Sequence, residues 1–163
     1  MPRRRKKKSP PLIYPSAGPL PWRLADRFAG RLLVFSDASQ KRLGGIAAVL
    51  FGDATGEPLV TTRSLPAMGS NELELQAALF AIQQAQRHFP GRPYALFSDN
   101  QDTVSRLNRA RSQGLAEDAE LAQMLAAAGI AETLGEAEIC WVKGHATCRG
   151  NILADQHAAA AAA

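Results

Sequence analysis

The chain has 163 residues, and 46% of them are hydrophobic, which is enough for one globular domain with a sizeable core. No apolar stretch approaches the roughly 20 residues that a membrane-spanning helix needs, and the first residues lack the pattern of a signal peptide. The two cysteines form no CxxC pair, which argues against a structural zinc site or a disulfide framework. We therefore expect a cytoplasmic protein with no membrane partner.

The first 30 residues differ from the rest in charge and in proline content. The net charge of +4 arises at positions 3–8, which are all Arg or Lys, because the remaining 13 basic residues face 15 acidic ones. Such a basic arm attracts a polyanion such as nucleic acid, or it serves as a solubilising or targeting tail. Five prolines predict that Ser9 to Trp22 is an extended linker outside the core. We divide the chain into arm and linker at residues 1–30 and one domain at residues 31–163.

The first half of this domain predicts three strands and a helix. The first strand covers Leu32–Asp37 and leads into a loop at Ser39–Leu43. The short runs Gly44–Phe51 and Pro58–Ser64 flank a turn-rich segment, which predicts a hairpin. Apolar residues three to four positions apart then predict a helix over Asn71–Phe89 with one buried face.

The second half predicts a strand at Pro93–Ser98, helices over Asp102–Asn108 and Ala116–Ala128, a fifth strand at Ala137–Lys143 and an alanine-rich helix from about Asn151. A strand, a helix and a further strand form a crossover, so we expect the first and fourth strands to be parallel neighbours. The order of elements is that of an α/β fold. Because little chain follows position 155, we expect the final helix to pack weakly.

The first and fourth strands end in the same tripeptide, Phe-Ser-Asp, which delivers Asp37 and Asp99. Carboxylates at the ends of neighbouring strands repel each other unless a divalent cation or a proton neutralises them. One interpretation is therefore a metal site. The alternative is two aspartates that serve only as turn residues.

Three further residues allow both a functional and a structural interpretation. Glu74 lies three residues after Asn71, a spacing that also suits a capping box at a helix start. His145 follows the fifth strand, and Asp155 lies ten residues beyond it. Taken singly, neither His145 nor Asp155 would be remarkable.

Together these motifs resemble the type-1 ribonuclease H family. Its motifs are matched in order by Asp37, Asn71-x-x-Glu74-Leu75, Asp99-x-Gln101, Val142-Lys143-Gly144-His145 and Asp155. The resemblance implies a ribonuclease H-like fold, which is a five-stranded mixed sheet flanked by helices. In that fold, three consecutive antiparallel strands are followed by two strands that run parallel to the first.

The resemblance also implies a metal-dependent endonuclease that hydrolyses the RNA strand of RNA–DNA hybrids. Its metal ligands would be Asp37, Glu74, Asp99 and Asp155, which resemble a site for two Mg²⁺ ions with Mn²⁺ as a substitute. Hard oxygen ligands suit these ions, and two of them can catalyse in-line phosphodiester cleavage. His145 would assist proton movement or product departure.

Substrate contacts are implied for Ser70, Asn71, Gln101 and Lys143. Amide side chains can bond to base edges and 2′-hydroxyl groups, which is a physical route to distinguishing RNA from DNA. No basic insertion lies between positions 99 and 145, so we expect the N-terminal arm to replace the basic protrusion of some family members in holding the hybrid. We also expect a monomer.

Three alternatives remain open from the sequence. The chain could be a nuclease of the same superfold that acts on structured DNA, such as a junction resolvase, or a nucleic-acid-binding module without catalysis. It could also be an unrelated α/β binding domain. A complete acidic quartet argues against a module without catalysis, because keeping four clustered charges without a metal is costly.

Overall fold

A computed structural model describes residues 19–53, 56–144 and 148–163, and its framework is one mixed sheet with helices on both faces. The strands are β1 (Leu32–Gln40), β2 (Gly44–Phe51), β3 (Leu59–Leu65), β4 (Tyr94–Ser98) and β5 (Glu138–Trp141). The helices are α1 (Trp22–Ala25), α2 (Ser70–His88), α3 (Gln101–Gln113), α4 (Ala119–Ala128) and α5 (Arg149–Ala162). Across these described ranges, no helix combines the length and the apolar character required to cross a bilayer.

The strands lie in the order β3-β2-β1-β4-β5. The pairs β1–β2 and β2–β3 are antiparallel, as the short connections between these strands require. The pairs β1–β4 and β4–β5 are parallel, and α2 provides the crossover from β3 to β4. The predicted α/β fold with a five-stranded mixed sheet is confirmed, as is the parallel pairing of the first and fourth strands.

Strand β1 separates two apolar clusters, because successive side chains point to opposite faces. Leu32 and Val34 pack in the cluster that includes α2, whereas Leu33 and Phe35 pack in the cluster that includes residues of α5. The strand continues to Gln40, so the predicted end at Asp37 is wrong. Pairing with β2 persists through the register pairs Asp37↔Ala47 and Gln40↔Gly44.

Helix α2 begins at Ser70, with Gly69 as its N-cap and no side-chain capping bond. Asn71 therefore lies inside the first turn, and Glu74 lies beyond it in a buried position. The capping-box interpretation of Asn71 and Glu74 is wrong. Both residues are thus available for contacts outside their own helix.

Helix α5 packs tightly on the sheet, so the expected weak packing is wrong. Its buried face includes three alanines that are fully inaccessible, namely Ala154, Ala158 and Ala162. A Cβ atom on Gly45 of β2 would collide with the backbone of Ala158 and Ala162. The Leu43 N–H donates to the carbonyl of Ala162 at 3.0 Å. Small side chains let the backbones of α5 and β2 come into direct contact.

The segment before β1 contributes to the core. Leu20 and Phe28 are almost completely buried, and the carbonyl of Pro19 accepts a hydrogen bond from the N–H of Gly150 at 3.2 Å. The prediction that the linker lies outside the core is therefore wrong for Leu20. The basic arm and the rest of the linker, at residues 1–18, lie outside the described residues. The domain boundary at residue 30 stays a prediction.

Candidate metal centre

Three acidic side chains converge near the C-terminal ends of the parallel strands β1 and β4. Asp37 lies on β1, Glu74 on α2, and Asp99 directly after β4, and one oxygen of each lies within 4.8 Å of the others. The parallel register causes this, since Phe35 of β1 pairs with Phe97 of β4 two residues before each aspartate. The turn interpretation is wrong for Asp37, which lies within a strand.

The aromatic residues of the repeated tripeptide lie beneath the aspartates. The rings of Phe35 and Phe97 stack with centroids 5.0 Å apart, and Phe51 meets Phe35 edge-on at 5.9 Å. Gly150, in the first turn of α5, lies so close that a Cβ atom there would overlap the Phe35 ring. The strand residues that precede the two aspartates are therefore anchored in an apolar cluster, which also contacts the start of α5.

Burial makes the charged forms of two of these carboxyl groups costly. Asp37 is only 3% exposed, and its burial, with repulsion from Glu74 and Asp99, raises its pKa to about 9. Burial and then the charge of Asp99 raise the pKa of Glu74 to about 7. The N–H of Ala38 donates to Asp37 Oδ1 at 2.9 Å and opposes part of the effect. Without a cation, the site retains protons at neutral pH.

The three carboxylates fit a divalent cation. Glu74 Oε2 is buried and has no hydrogen-bond partner within the described part of the chain. A buried carboxylate oxygen without a partner is costly unless a cation or a donor satisfies it. Carboxylate oxygens are hard ligands, which Mg²⁺ and Mn²⁺ prefer. Asp37, Glu74 and Asp99 would hold such an ion.

The metal-free protein should lose stability as the pH rises. The unfolded chain releases these protons near pH 4, whereas the folded chain keeps them up to about pH 7 at Glu74 and about pH 9 at Asp37. The free energy of unfolding therefore falls through this interval, by more than about 1 kcal/mol. Urea unfolding in chelator at pH 5 and pH 9 measures the change. Asp37→Asn should reduce this dependence of the free energy of unfolding on pH, and Mg²⁺ should reverse it. If the free energy of unfolding of the metal-free wild type did not change with pH, the raised pKa values of Asp37 and Glu74 would be contradicted.

Asp155 and His145 complete the predicted catalytic set. Asp155 lies on α5 with an exposed side chain, and it is not among the three residues whose oxygens converge. Its charge still contributes to the raised pKa values of Asp37 and Glu74. His145 lies outside the described residues. The roles of both residues stay predictions.

The predicted substrate-binding residues are exposed and close in sequence to the carboxylate cluster. Ser70 and Asn71 begin α2, one turn before Glu74, and Gln101 begins α3, two residues after Asp99. Lys143 follows β5. No contact in the structure tests their role toward a substrate, which stays a prediction.

A hydrogen-bonded network that the sequence did not predict joins the starts of α2 and α3. Asn100 caps α3 by accepting from the Thr103 N–H at 2.8 Å, and its Nδ2 donates to Asn71 Oδ1 at 3.1 Å. Asn71 Nδ2 in turn donates to Asp102 Oδ2 at 2.9 Å. An Asn before a helix is a known capping signal, but its link to Asn71 depends on the tertiary fold. The network fixes the orientation of the Asn71 amide.

Trp141 is a second residue that the sequence analysis missed. It ends β5, is 42% exposed, and donates from Nε1 to the backbone carbonyl of Asp99 at 3.1 Å. An isolated Trp at a strand end carries no catalytic signal in the sequence. Its position beside the carboxylates is visible only in the fold.

Comparison with known proteins identifies a family. The model of the family described as RNase H matches residues 29–163, which is most of the chain. No curated protein sequence matches the chain.

Solved structures share the fold at low sequence identity. The N-terminal RNase H domain of Rv2228c from Mycobacterium tuberculosis, studied as a fusion with maltose-binding protein, is 15% identical with a TM-score of 0.62, covering 82% of this chain and 94% of that one. RNase H1 from the halophilic archaeon Halobacterium salinarum NRC-1 is 19% identical with a TM-score of 0.58, covering 81% and 97%. LC11-RNase H1 in complex with an RNA/DNA hybrid is 14% identical with a TM-score of 0.58, covering 82% and 100%.

Proposed function

Because the chain belongs to the RNase H family, we propose that it is a metal-dependent endonuclease that hydrolyses the RNA strand of RNA–DNA hybrids. The observation that carries the proposal is the convergence of Asp37, Glu74 and Asp99, together with a buried Glu74 Oε2 that has no hydrogen-bond partner among the residues that the structure describes. The complex of LC11-RNase H1 with an RNA/DNA hybrid supports a nucleic-acid substrate.

Two Mg²⁺ ions, or Mn²⁺ in their place, would supply an activated water and would stabilise the developing phosphate charge when bound. Asp37 on β1, Glu74 on α2 and Asp99 after β4 would bind and orient the cation. Asp155 on α5 would add a fourth carboxylate. Asp37 and Glu74 are buried, so little water reaches these two carboxylates, which strengthens their attraction for a cation. His145 would assist proton movement or product departure.

Substrate recognition falls to the exposed residues around the cluster. Asn71 and Gln101 offer amide groups to base edges and 2′-hydroxyls, while Ser70 and Lys143 extend the same surface. The Asn71 amide donates to Asp102 and accepts from Asn100, and these two bonds hold it in a fixed orientation before substrate arrives. A fixed donor costs less conformational entropy on binding than a mobile one.

The direct test compares labelled RNA–DNA hybrid, duplex RNA, duplex DNA and a four-way DNA junction with the full chain in Mg²⁺, Mn²⁺ or chelator. Cleavage of only the RNA strand of the hybrid, abolished by chelator, is the expected result. Cleavage of the junction alone would instead establish a DNA resolvase. Binding of the hybrid without cleavage in either metal would establish a module without catalysis.

The basic arm should strengthen hybrid binding. Arg106, the first of three arginines on α3, is held by Asp118 through bonds of 2.7 and 2.9 Å, so one of the three positive charges on this helix is already paired. Deleting residues 1–8 should weaken hybrid affinity and flatten its salt dependence, because fewer counterions are released on binding. Titrations between 50 and 200 mM salt, roughly the range in which such effects appear, measure both. Unchanged affinity and slope would make the arm a tail without a role in binding.

A further inference from the structure

We propose that Trp141 and Gly144 are positioning residues that hold Asp99 in the geometry required for cation binding. The inference rests on the proposed function, in which Asp99 is a metal ligand. Trp141 precedes the matched motif Val142-Lys143-Gly144-His145, and Gly144 lies within it, but the resemblance assigns no role to either residue. Both lie on the chain that leaves β5 and passes beside the end of β4.

The need for such support arises from the position of Asp99. Asp37 lies within β1 and is held by register pairing with Ala47 of β2. Asp99 instead follows the last residue of β4, and the β4–β5 register ends one residue earlier, at Ser98↔Trp141. A carboxylate beyond a strand end needs other contacts if it is to keep one orientation.

The last residue of β5 and the residues that follow it meet this need in three ways. The Val142 N–H donates to the Ser98 carbonyl at 3.0 Å, which extends the pairing by one bond. Trp141 Nε1 donates to the carbonyl of Asp99 itself at 3.1 Å. A Cβ atom on Gly144 would lie 3.1 Å from Asp99 Oδ2 and 3.5 Å from Asp99 Cβ. The indole thus holds the backbone of Asp99, and Gly144 leaves room for its side chain.

The exposure of Trp141 supports a specific role for its N–H. A Trp that served only the core would be buried, whereas this one is 42% exposed at the edge of the site. Its indole nitrogen is nevertheless bonded to the residue that carries a candidate ligand. Trp141 and Gly144 act through Asp99 and are therefore not catalytic residues.

The test measures Mg²⁺ binding to the metal-free full chain by calorimetry, independently of any cleavage. Trp141→Phe keeps an aromatic ring and removes the N–H, whereas Gly144→Ala inserts a methyl group against the Asp99 carboxylate. Each should weaken Mg²⁺ affinity about tenfold or more, the usual effect of removing support for a metal ligand. Gly135→Ala is the matched control, because a Cβ atom there meets nothing within 4 Å. Urea unfolding at the temperature of the calorimetry establishes that all variants are folded under those conditions.

Cleavage kinetics provide a second measurement. The dependence of kcat on Mg²⁺ concentration would not change if Trp141 only stabilised the fold. For Trp141→Phe, kcat should fall at limiting Mg²⁺ and recover at high Mg²⁺, with KM for the hybrid unchanged. Unchanged Mg²⁺ affinity in both variants would overturn the positioning role alone. A raised KM with unchanged Mg²⁺ affinity would also overturn it, because the indole would then act on the substrate. If wild type bound neither Mg²⁺ nor Mn²⁺, the proposed function would fall as well.

Discussion

Asp37→Asn should lower the rate of hybrid cleavage by roughly 1000-fold, the upper end of the effect of removing one preorganised electrostatic group. Asp37 is the most buried of the three converging carboxylates, and an amide supplies no negative charge to a cation. Cleavage rates at saturating hybrid, with calorimetric Mg²⁺ titration of the same preparation, measure the loss. His145→Ala should cause a smaller fall in turnover, because its proposed role is auxiliary to metal binding.

The Asp37→Asn variant should remain folded, so a loss of activity can be attributed to the missing metal ligand and not to unfolding. In chelator at neutral pH, Asp37→Asn should be more stable than wild type, because burial and neighbouring carboxylates oppose the ionisation of Asp37 and raise its pKa. Glu117→Gln also replaces a carboxylate by an amide, but at an exposed position, so it is the control and should leave activity unchanged. A mild loss in Asp37→Asn, equal to that in His145→Ala, would refute the metal-ligand assignment.

Gly45→Ala should destabilise the protein by about 3 kcal/mol, at the upper end of the cost of overpacking a core. The added Cβ would meet the backbone of Ala158 and Ala162, which cannot rotate away as a side chain could. Helix α5 would have to move from the sheet and break the bond from the Leu43 N–H to Ala162. Urea unfolding at one pH measures the change in the free energy of unfolding.

Gly135→Ala provides the comparison for this second prediction, because its added Cβ lies in open space. It should shift stability by less than about 0.5 kcal/mol, as exposed substitutions usually do. Equal stability of Gly45→Ala and wild type would show that α5 tolerates displacement from β2. It would also contradict the tight packing of the alanine-rich helix.

The sequence predicted the order and type of the main elements because hydrophobic periodicity reports which faces are buried. It could not predict the end of β1, since Ser39 and Gln40 are polar and are held in the strand only by pairing with Gly45 and Gly44. Nor could it predict the packing of α5, because a run of alanines carries no pattern. The glycine on β2 that receives the helix is distant in sequence.

The candidate site shows the same division. Asp37, Glu74 and Asp99 could be selected from the sequence because their motifs follow a known family order, and the parallel register then brings them together. Asn71 with Glu74 fitted a capping box equally well, and only the helix start at Ser70 decided between the two interpretations. The distance in sequence between Asn71 and Glu74 does not show which residue is the N-cap when the first residue of the helix is unknown.

By itself, the sequence determined the fold class and the family and selected the acidic residues that converge, because burial periodicity and motif order can be read directly along the chain. Only the tertiary structure decided that Asp37 and Glu74 are buried with raised pKa values and that Trp141 donates a hydrogen bond to the carbonyl of Asp99. Desolvation and hydrogen bonding between distant segments depend on which surfaces meet. Chain positions that lie 42 residues apart, such as Asp99 and Trp141, acquire their relation only when the sheet forms.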